Sequence, residues 1–289
     1  MPQPPLPSDL AAIVARALAE DIGPGDVTAD LVPAEYRARA TVVSREAAVL
    51  CGTAWFDAVF AQLDPAVSVT WAVRDGDPVT AGLELCRLEG PARPLLSGER
   101  TALNFLQSLS GTATVARRFA DAVTGTGCRV LDTRKTLPGL RAAQKYAVAV
   151  GGGTNHRHGL YDALLIKENH IIAAGGIAAA LAAARRTHPG LVVEIEVESI
   201  TELEAALDGG ADIVLLDNFA PEALREAVAR TRDRPGCATR LEASGNVELE
   251  NIRAIAETGV DFVSVGGLTK HLRAVDLSMR FQLEPLPAG

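Results

Sequence analysis

VVEIEVESITELEAALDGGADIVLLDN, residues 192–218, carries the pattern from which the fold follows. Two apolar runs, VVEIEVE (192–198) and DIVLLDN (212–218), flank a helical stretch, and each run closes on charged or polar residues. Four further runs repeat the plan: RVLDTRK (129–135), DALLIKENH (162–170), TRLEASG (239–245) and VDFVSVGG (260–267). With Asp132, Lys167, Glu196, Asp217, Glu242 and Gly266 as markers, successive spacings are 35, 29, 21, 25 and 24 residues. A strand with its crossover helix occupies about that length. Nearly continuous apolar runs belong to a parallel sheet covered on both faces. The expected architecture is therefore a (β/α) barrel-like domain, complete or incomplete, with its strand ends gathered on one functional face. An open doubly wound sheet is the alternative and would place ligands at a switch point.

Upstream the character differs. Residues 9–21 have helical periodicity, 38–50 alternate like a strand, WFDAVFAQL (55–63) reads as a short helix and VSVTWAV (67–73) as a strand. RDGDPVTAGLELCRLEG (74–90) reads as short strands joined by D-G turns. It resembles part of the hammerhead of lipoyl or biotinyl carriers, but a carrier needs a lysine at a hairpin tip and none precedes Lys135. The expected organisation is an N-terminal α+β sandwich or hammerhead domain over 1–105, a barrel over 106–272, and a return of 273–289 to the N-terminal domain. The helical stretch 97–123 is expected to break near Ser110–Gly111.

The chain of 289 residues is 48% hydrophobic and 22% charged, the composition of a globular protein. Its formal net charge of −8 argues against nucleic acid as the main partner. Cys51, Cys86, Cys128 and Cys237 include no C-x-x-C pair, which points to a reducing compartment rather than a disulfide framework. MPQPPLPSDL has neither the basic nor the apolar region of a signal peptide, and no run has the apolar length of a membrane span. The expectation is a cytoplasmic protein with no membrane partner. Only four lysines stand against 24 arginines, and all four lie beyond residue 134.

The strand ends are chemically uneven. Arg134, Lys135, His156, Arg157 and Lys167 make a cationic side, Glu196 and Asp217 an acidic side, and Ser244, Gly245, Gly266 and Gly267 a side where backbone N–H groups can approach a ligand. Any one of these has an ordinary structural explanation, such as a surface ion pair or a turn. Glu194, Glu196 and Glu198 inside an apolar run set a burial problem, since ionised carboxylates are rarely buried without cations. A metal or a ligand hydroxyl resolves it.

Eight motifs then appear in order: EDIGPGDVT (20–28), ERTALNFLQSLSG (99–111), DTRKTLPGLRAAQKYAV (132–148), GGGTNHRHGLYDALLIKENH (151–170), EVE (196–198), LLDN (215–218), EASGN (242–246) and VGGLTKH (265–271). Over nearly its whole length the chain resembles the quinolinate phosphoribosyltransferases, with Asn246 standing where some relatives carry glycine. The resemblance implies transfer of phosphoribosyl from phosphoribosyl pyrophosphate to quinolinate with loss of carbon dioxide, giving nicotinate mononucleotide and pyrophosphate in NAD biosynthesis. It implies that Arg134, His156 and Arg157 hold the two quinolinate carboxylates, and that Arg100 reaches the site of a neighbouring subunit in a homodimer or higher oligomer. Lys135, Lys167 and His271 would face pyrophosphate, with Thr133 and the backbone of Ser244, Gly245 and Asn246 and of Val265, Gly266 and Gly267. Glu196 and Asp217 would hold Mg²⁺ and the ribose hydroxyls, and with Lys135 and Lys167 form the catalytic set. Two other readings stand beside this one: a related phosphoribosyltransferase with another acceptor, and a non-catalytic ligand-binding barrel.

Overall fold

A computed structural model describes residues 3–284. The chain starts with α1 (Leu10–Ile22), β1 (Arg37–Ser44), β2 (Ala48–Val49), α2 (Thr53–Leu63), β3 (Ser68–Trp71), β4 (Pro78–Val79), β5 (Glu84–Pro91) and α3 (Ala92–Ala122). It continues through β6 (Arg129–Leu131), α4 (Arg141–Val150), β7 (Leu164–Ile166), α5 (Glu168–Ala174), α6 (Ile177–Thr187), β8 (Val193–Val197), α7 (Ile200–Asp208) and β9 (Ile213–Asp217). The last elements are α8 (Pro221–Arg232), β10 (Arg240–Ser244), α9 (Ile252–Ala256), β11 (Phe262–Ser264), α10 (Gly267–Lys270) and β12 (Leu277–Glu284). Two compact units result: one from Met1–Arg117, Thr136–Gly152 and His271–Gly289, the other from Arg118–Lys135 and Gly153–Lys270. Residues 106–117 and 136–152, inside the expected barrel span, thus pack with the first unit. Residues 285–289 of the 273–289 segment lie outside the described residues.

The first unit is built on a four-stranded antiparallel sheet ordered β12-β1-β5-β3. β12 pairs along β1 from Leu277 opposite Ser44 to Leu283 opposite Ala38, so the final segment returns here. Trp55, Phe56, Val59 and Phe60 of α2 are buried in the core of this unit. Burying four such side chains supplies much of its hydrophobic stabilisation. The helix expected to break at Ser110–Gly111 runs unbroken as α3. Gly111 serves close approach instead: a Cβ there would lie 2.1 Å from the Arg273 carbonyl oxygen.

Asp75 ties this unit together. Its carboxylate is nearly buried and accepts the backbone N–H groups of Gly52 and Thr53 at 3.1 Å and the Tyr146 hydroxyl at 2.9 Å. The start of α2 lacks a side-chain cap of its own, so Asp75 takes the orphan donors. Lys145, whose lysine type stood out in the composition, is fully buried on α4.

The second unit is a six-stranded parallel sheet ordered β6-β11-β10-β9-β8-β7. Read from β7 to β11 the order follows the sequence, and β6 then joins β11. That is the cyclic order of a barrel with its seam open between β6 and β7. A doubly wound sheet would reverse direction in the middle, so that alternative is set aside. The register places Asp217 beside Ser244 across β9 and β10, and Glu196 beside Leu215 across β8 and β9. Strand ends from all six strands therefore meet at one rim.

Replacing Asp75 by Ala strands two buried backbone donors and a phenol. Asp75→Ala should lower stability by about 3 kcal/mol, with Asp75→Asn intermediate because its amide oxygen still accepts. Denaturant unfolding of the three proteins checks this; equal stabilities would show that the capping role is wrong.

Candidate active site

At the C-terminal rim of the parallel strands lies a cavity of about 370 Å³. Its walls are Thr133, Arg134, Lys135, His156, Arg157, Lys167, Glu196, Glu242 and Ser244, with Leu165, Leu215 and Ser264. Eight residues proposed from the sequence are thus brought together. Asp217 is close enough to Glu196, Lys167 and Lys135 for their charges to be felt at its carboxyl. The loop of Gly266, Gly267 and α10 closes on Lys135: Thr269 donates its hydroxyl to the Lys135 carbonyl at 2.7 Å, and Gly266 packs on the Lys135 stem. Val265 donates its N–H to the Leu131 carbonyl at 2.9 Å, which joins that loop to the end of β6. Arg100, exposed on α3, and His271 belong to the first unit and are not among the wall residues.

The cations are unequal in their partners. Lys167 makes an ion pair with Glu196. Arg134 and Lys135 have no carboxylate at ion-pair distance among the described residues, and the Arg134 Nε is buried without an acceptor. Among the described residues the Arg157 guanidinium hydrogen-bonds only the Ala163 carbonyl, at 3.3 Å from Nη1. Burial, and then the neighbouring charge of Arg134, weaken its hold on its proton. Three cations held together in a half-enclosed cavity are a site for an anion with more than one charge.

Beside Glu196, and not itself among the wall residues, Asp217 is raised above its ordinary value by burial and by repulsion from Glu196, against the pull of Lys167 and Asn218. The two acids face each other closely enough to compete, which is the donor set a hard divalent cation uses. The chain around them is bent to suit. Asn218 and Asn246 adopt left-handed φ of 55° and 48°. Gly245, at φ 100°, would with a Cβ lie 2.1 Å from Asn218 Oδ1, so only glycine fits beside Ser244.

Beneath the arginines sits a group that the sequence reading did not assign. Glu194 and Glu242 are 2% and 1% exposed and point inward from β8 and β10. His156 Nε2 lies 2.8 Å from Glu194 Oε2 and 3.5 Å from Glu242 Oε2. Its Nδ1 accepts the Arg157 N–H at 2.8 Å, which places the ring proton on Nε2, facing the acids. The fully buried Asp132 accepts the His156 N–H at 2.8 Å and the Asn155 amide at 2.7 Å. Burial opposes charge on His156, but hydrogen bonds to Glu194 and Glu242 outweigh it and raise its proton affinity. Burial, then Glu242, push Glu194 up to about 7. The burial problem seen in the sequence thus has two answers: His156 for Glu194, and the open cavity with Lys167 for Glu196. Glu198 lies beyond the strand and is exposed. The signal for Glu194 was present in its alternation with Glu196; nothing in the sequence paired it with His156.

No thiol contributes. Burial raises the Cys51, Cys86 and Cys128 thiols and leaves them inert.

Residues 26–110 match the family model for the quinolinate phosphoribosyl transferase N-terminal domain, and residues 112–280 that for the C-terminal domain. A nicotinate-nucleotide pyrophosphorylase [carboxylating] of Mycobacterium leprae is 43% identical over 273 residues, covering 92% of this chain and 95% of the relative. A probable enzyme of the same name from Bacillus subtilis is 40% identical over 261 residues, covering 90% and 89%. The solved structure of the nicotinate-nucleotide pyrophosphorylase from Francisella tularensis superposes with a TM-score of 0.92 at 46% identity, covering 96% of this chain and 98% of that one. Human nicotinic acid phosphoribosyltransferase shares the fold at a TM-score of 0.60 and 15% identity.

The buried cluster gives a pH signature. A carboxyl whose folded pKa is raised contributes stability at low pH that is lost as pH rises through the folded value. Wild-type stability should therefore fall, relative to Glu194→Gln, as pH rises from 4.5 through about 7. His156→Ala, which leaves two buried acids without the imidazole, should cost about 3–5 kcal/mol. Denaturant melts at stepped pH test both; parallel curves for wild type and Glu194→Gln would contradict the first.

Proposed function

The chain belongs to the quinolinate phosphoribosyltransferase family, and we propose that it joins quinolinate to phosphoribosyl pyrophosphate in the rim cavity of its parallel sheet. It is a decarboxylating phosphoribosyltransferase of NAD biosynthesis. The observation that carries the reading is the trio Arg134, Lys135 and Arg157, cations with no carboxylate at ion-pair distance among the described residues, in a cavity also lined by Glu196, whose charge is felt at Asp217.

Quinolinate offers adjacent carboxylates at ring positions 2 and 3. Arg134 and Arg157 would each take one, since a guanidinium fork matches a carboxylate. Lys135 and Lys167, compact point charges, would meet the pyrophosphate, with backbone N–H groups of Gly245, Asn246 and Gly266 nearby. Glu196 and Asp217 would hold Mg²⁺, which when bound supplies charge neutralisation for the leaving pyrophosphate. The same carboxylates would stabilise positive charge on the ribose C1 as the C–O bond to pyrophosphate breaks. The ring nitrogen lone pair then bonds to C1. The resulting pyridinium accepts the electrons of the C2–carboxylate bond, carbon dioxide leaves and a proton takes its place at C2. Positioning and charge, rather than a strong base, do the protein's part.

Arg100, exposed on α3, would act in the site of a second copy, making a homodimer the smallest active unit. Four free cysteines, three of them buried, suit a reducing cytoplasmic interior. No described helix is long and apolar enough to cross a membrane.

Purified protein with phosphoribosyl pyrophosphate and Mg²⁺ should release carbon dioxide and pyrophosphate in equal amounts from quinolinate, give no product from nicotinate, and stop on addition of a chelator. Turnover of nicotinate alone would replace this reading by the related transferase, and tight binding without pyrophosphate release would replace it by the non-catalytic barrel. In the same assay, mixing Arg100→Ala with Lys167→Ala should restore activity that neither has alone; no recovery would place Arg100 in its own subunit.

A further inference from the structure

The cluster beneath the arginines reaches the cavity through His156 and Glu242, and no substrate atom has been assigned above to any of its three buried acids. Asp132 holds the backbone N–H of His156 and the side chain of Asn155, at 2.8 and 2.7 Å. Glu194 and Glu242, from two strands separated by β9, converge on the Nε2 side of the same imidazole. The other ring nitrogen holds the N–H of Arg157 at 2.8 Å. Asn155 and His156 are therefore held from outside by three hydrogen bonds, with Glu242 a further contact at 3.5 Å, and Arg157 is tied to the His156 ring. Past them, the Arg157 guanidinium makes one hydrogen bond among the described residues, to the Ala163 carbonyl, and feels repulsion from Arg134 against weaker attraction from Glu194 and Asp162. A long cationic side chain in that situation takes its direction from its backbone.

We propose that Glu194 and Glu242 are positioning residues for the acceptor. They lock the His156 ring, and the ring's far nitrogen sets the Arg157 backbone, so that the Arg157 guanidinium is held in a fixed arrangement with that of Arg134 to meet two neighbouring carboxylates. The inference rests on the quinolinate reading and deepens it, because it gives that selectivity a source outside the groups that touch the ligand. Gripping groups held at a fixed separation discriminate between one carboxylate and two neighbouring ones; the same groups loosely held do not.

A different role for the acids would be to offset charge in the cavity. The charged groups around His156 are Glu194 from β8, Glu242 from β10, Asp132 after β6, and the Arg134 and Arg157 side chains. The two roles have opposite signs. Removing a negative charge near Arg157 strengthens an anion's attraction, whereas unlocking His156 weakens its capture.

Two variants of Glu194 separate them. Glu194→Gln removes the charge and keeps an oxygen that accepts from Nε2–H; Glu194→Leu removes both. Steady-state kinetics should show that Glu194→Leu raises the quinolinate KM by about tenfold while the phosphoribosyl pyrophosphate KM stays within about twofold, and that Glu194→Gln stays close to wild type. A lower quinolinate KM in Glu194→Gln would overturn the proposal in favour of charge offset. An equal rise in both KM values in Glu194→Leu would overturn it in favour of a purely structural role. If Glu194→Leu does not fold, Glu242→Leu reads the same split. Wild-type protein that ignores quinolinate would sink the underlying reading; wild-type turnover with variants indifferent to the acceptor would sink only this inference.

Discussion

Arg134, Lys135 and Arg157 repel one another in a cavity where no described carboxylate lies at ion-pair distance from them. Much of the second unit can be read as the means of tolerating that repulsion. Parallel strands deliver the three side chains to one rim. Lys167, the fourth cation, is neutralised by Glu196. Asp132, Glu194 and Glu242 are buried around His156, and Glu242 also reaches the cavity wall. What is left unbalanced faces outward, toward a ligand with two carboxylates on one side and phosphates on the other.

The division between arginine and lysine follows from the same constraint. A planar fork suits a carboxylate that must be held in one orientation, and a small ammonium suits phosphate oxygens that shift as a bond breaks. In a chain with four lysines, two stand at this rim and a third, Lys270, ends the helix after Gly267. The fourth, Lys145, is buried on α4 of the first unit. The scarcity of lysine was therefore informative for Lys135 and Lys167, and it did not foretell that Lys145 is buried.

The six parallel strands were legible in advance because their signal is local: apolar runs, polar ends and regular spacing. The cations of the rim were legible for the same reason, each standing just past its strand. The continuity of α3 was not. Gly111 looks like a helix break in sequence, and only the Arg273 backbone against it explains why glycine is needed inside a continuous helix. The packing of 136–152 with the first unit was hidden too, because periodicity reports a helix without its destination. The Glu194–His156–Glu242 cluster joins residues 38 and 48 positions apart across a strand between them, a relation that exists only in the folded sheet. Such a pairing becomes visible from sequence as an unexplained buried charge, and no further.

Isothermal titration of quinolinate and of phosphoribosyl pyrophosphate into wild type and Arg134→Ala addresses the central claim, that the unbalanced arginines exist for the aromatic dicarboxylate. Quinolinate binding should weaken by about 2–5 kcal/mol in the variant, with phosphoribosyl pyrophosphate nearly unaffected. An equal loss for both ligands would contradict the account.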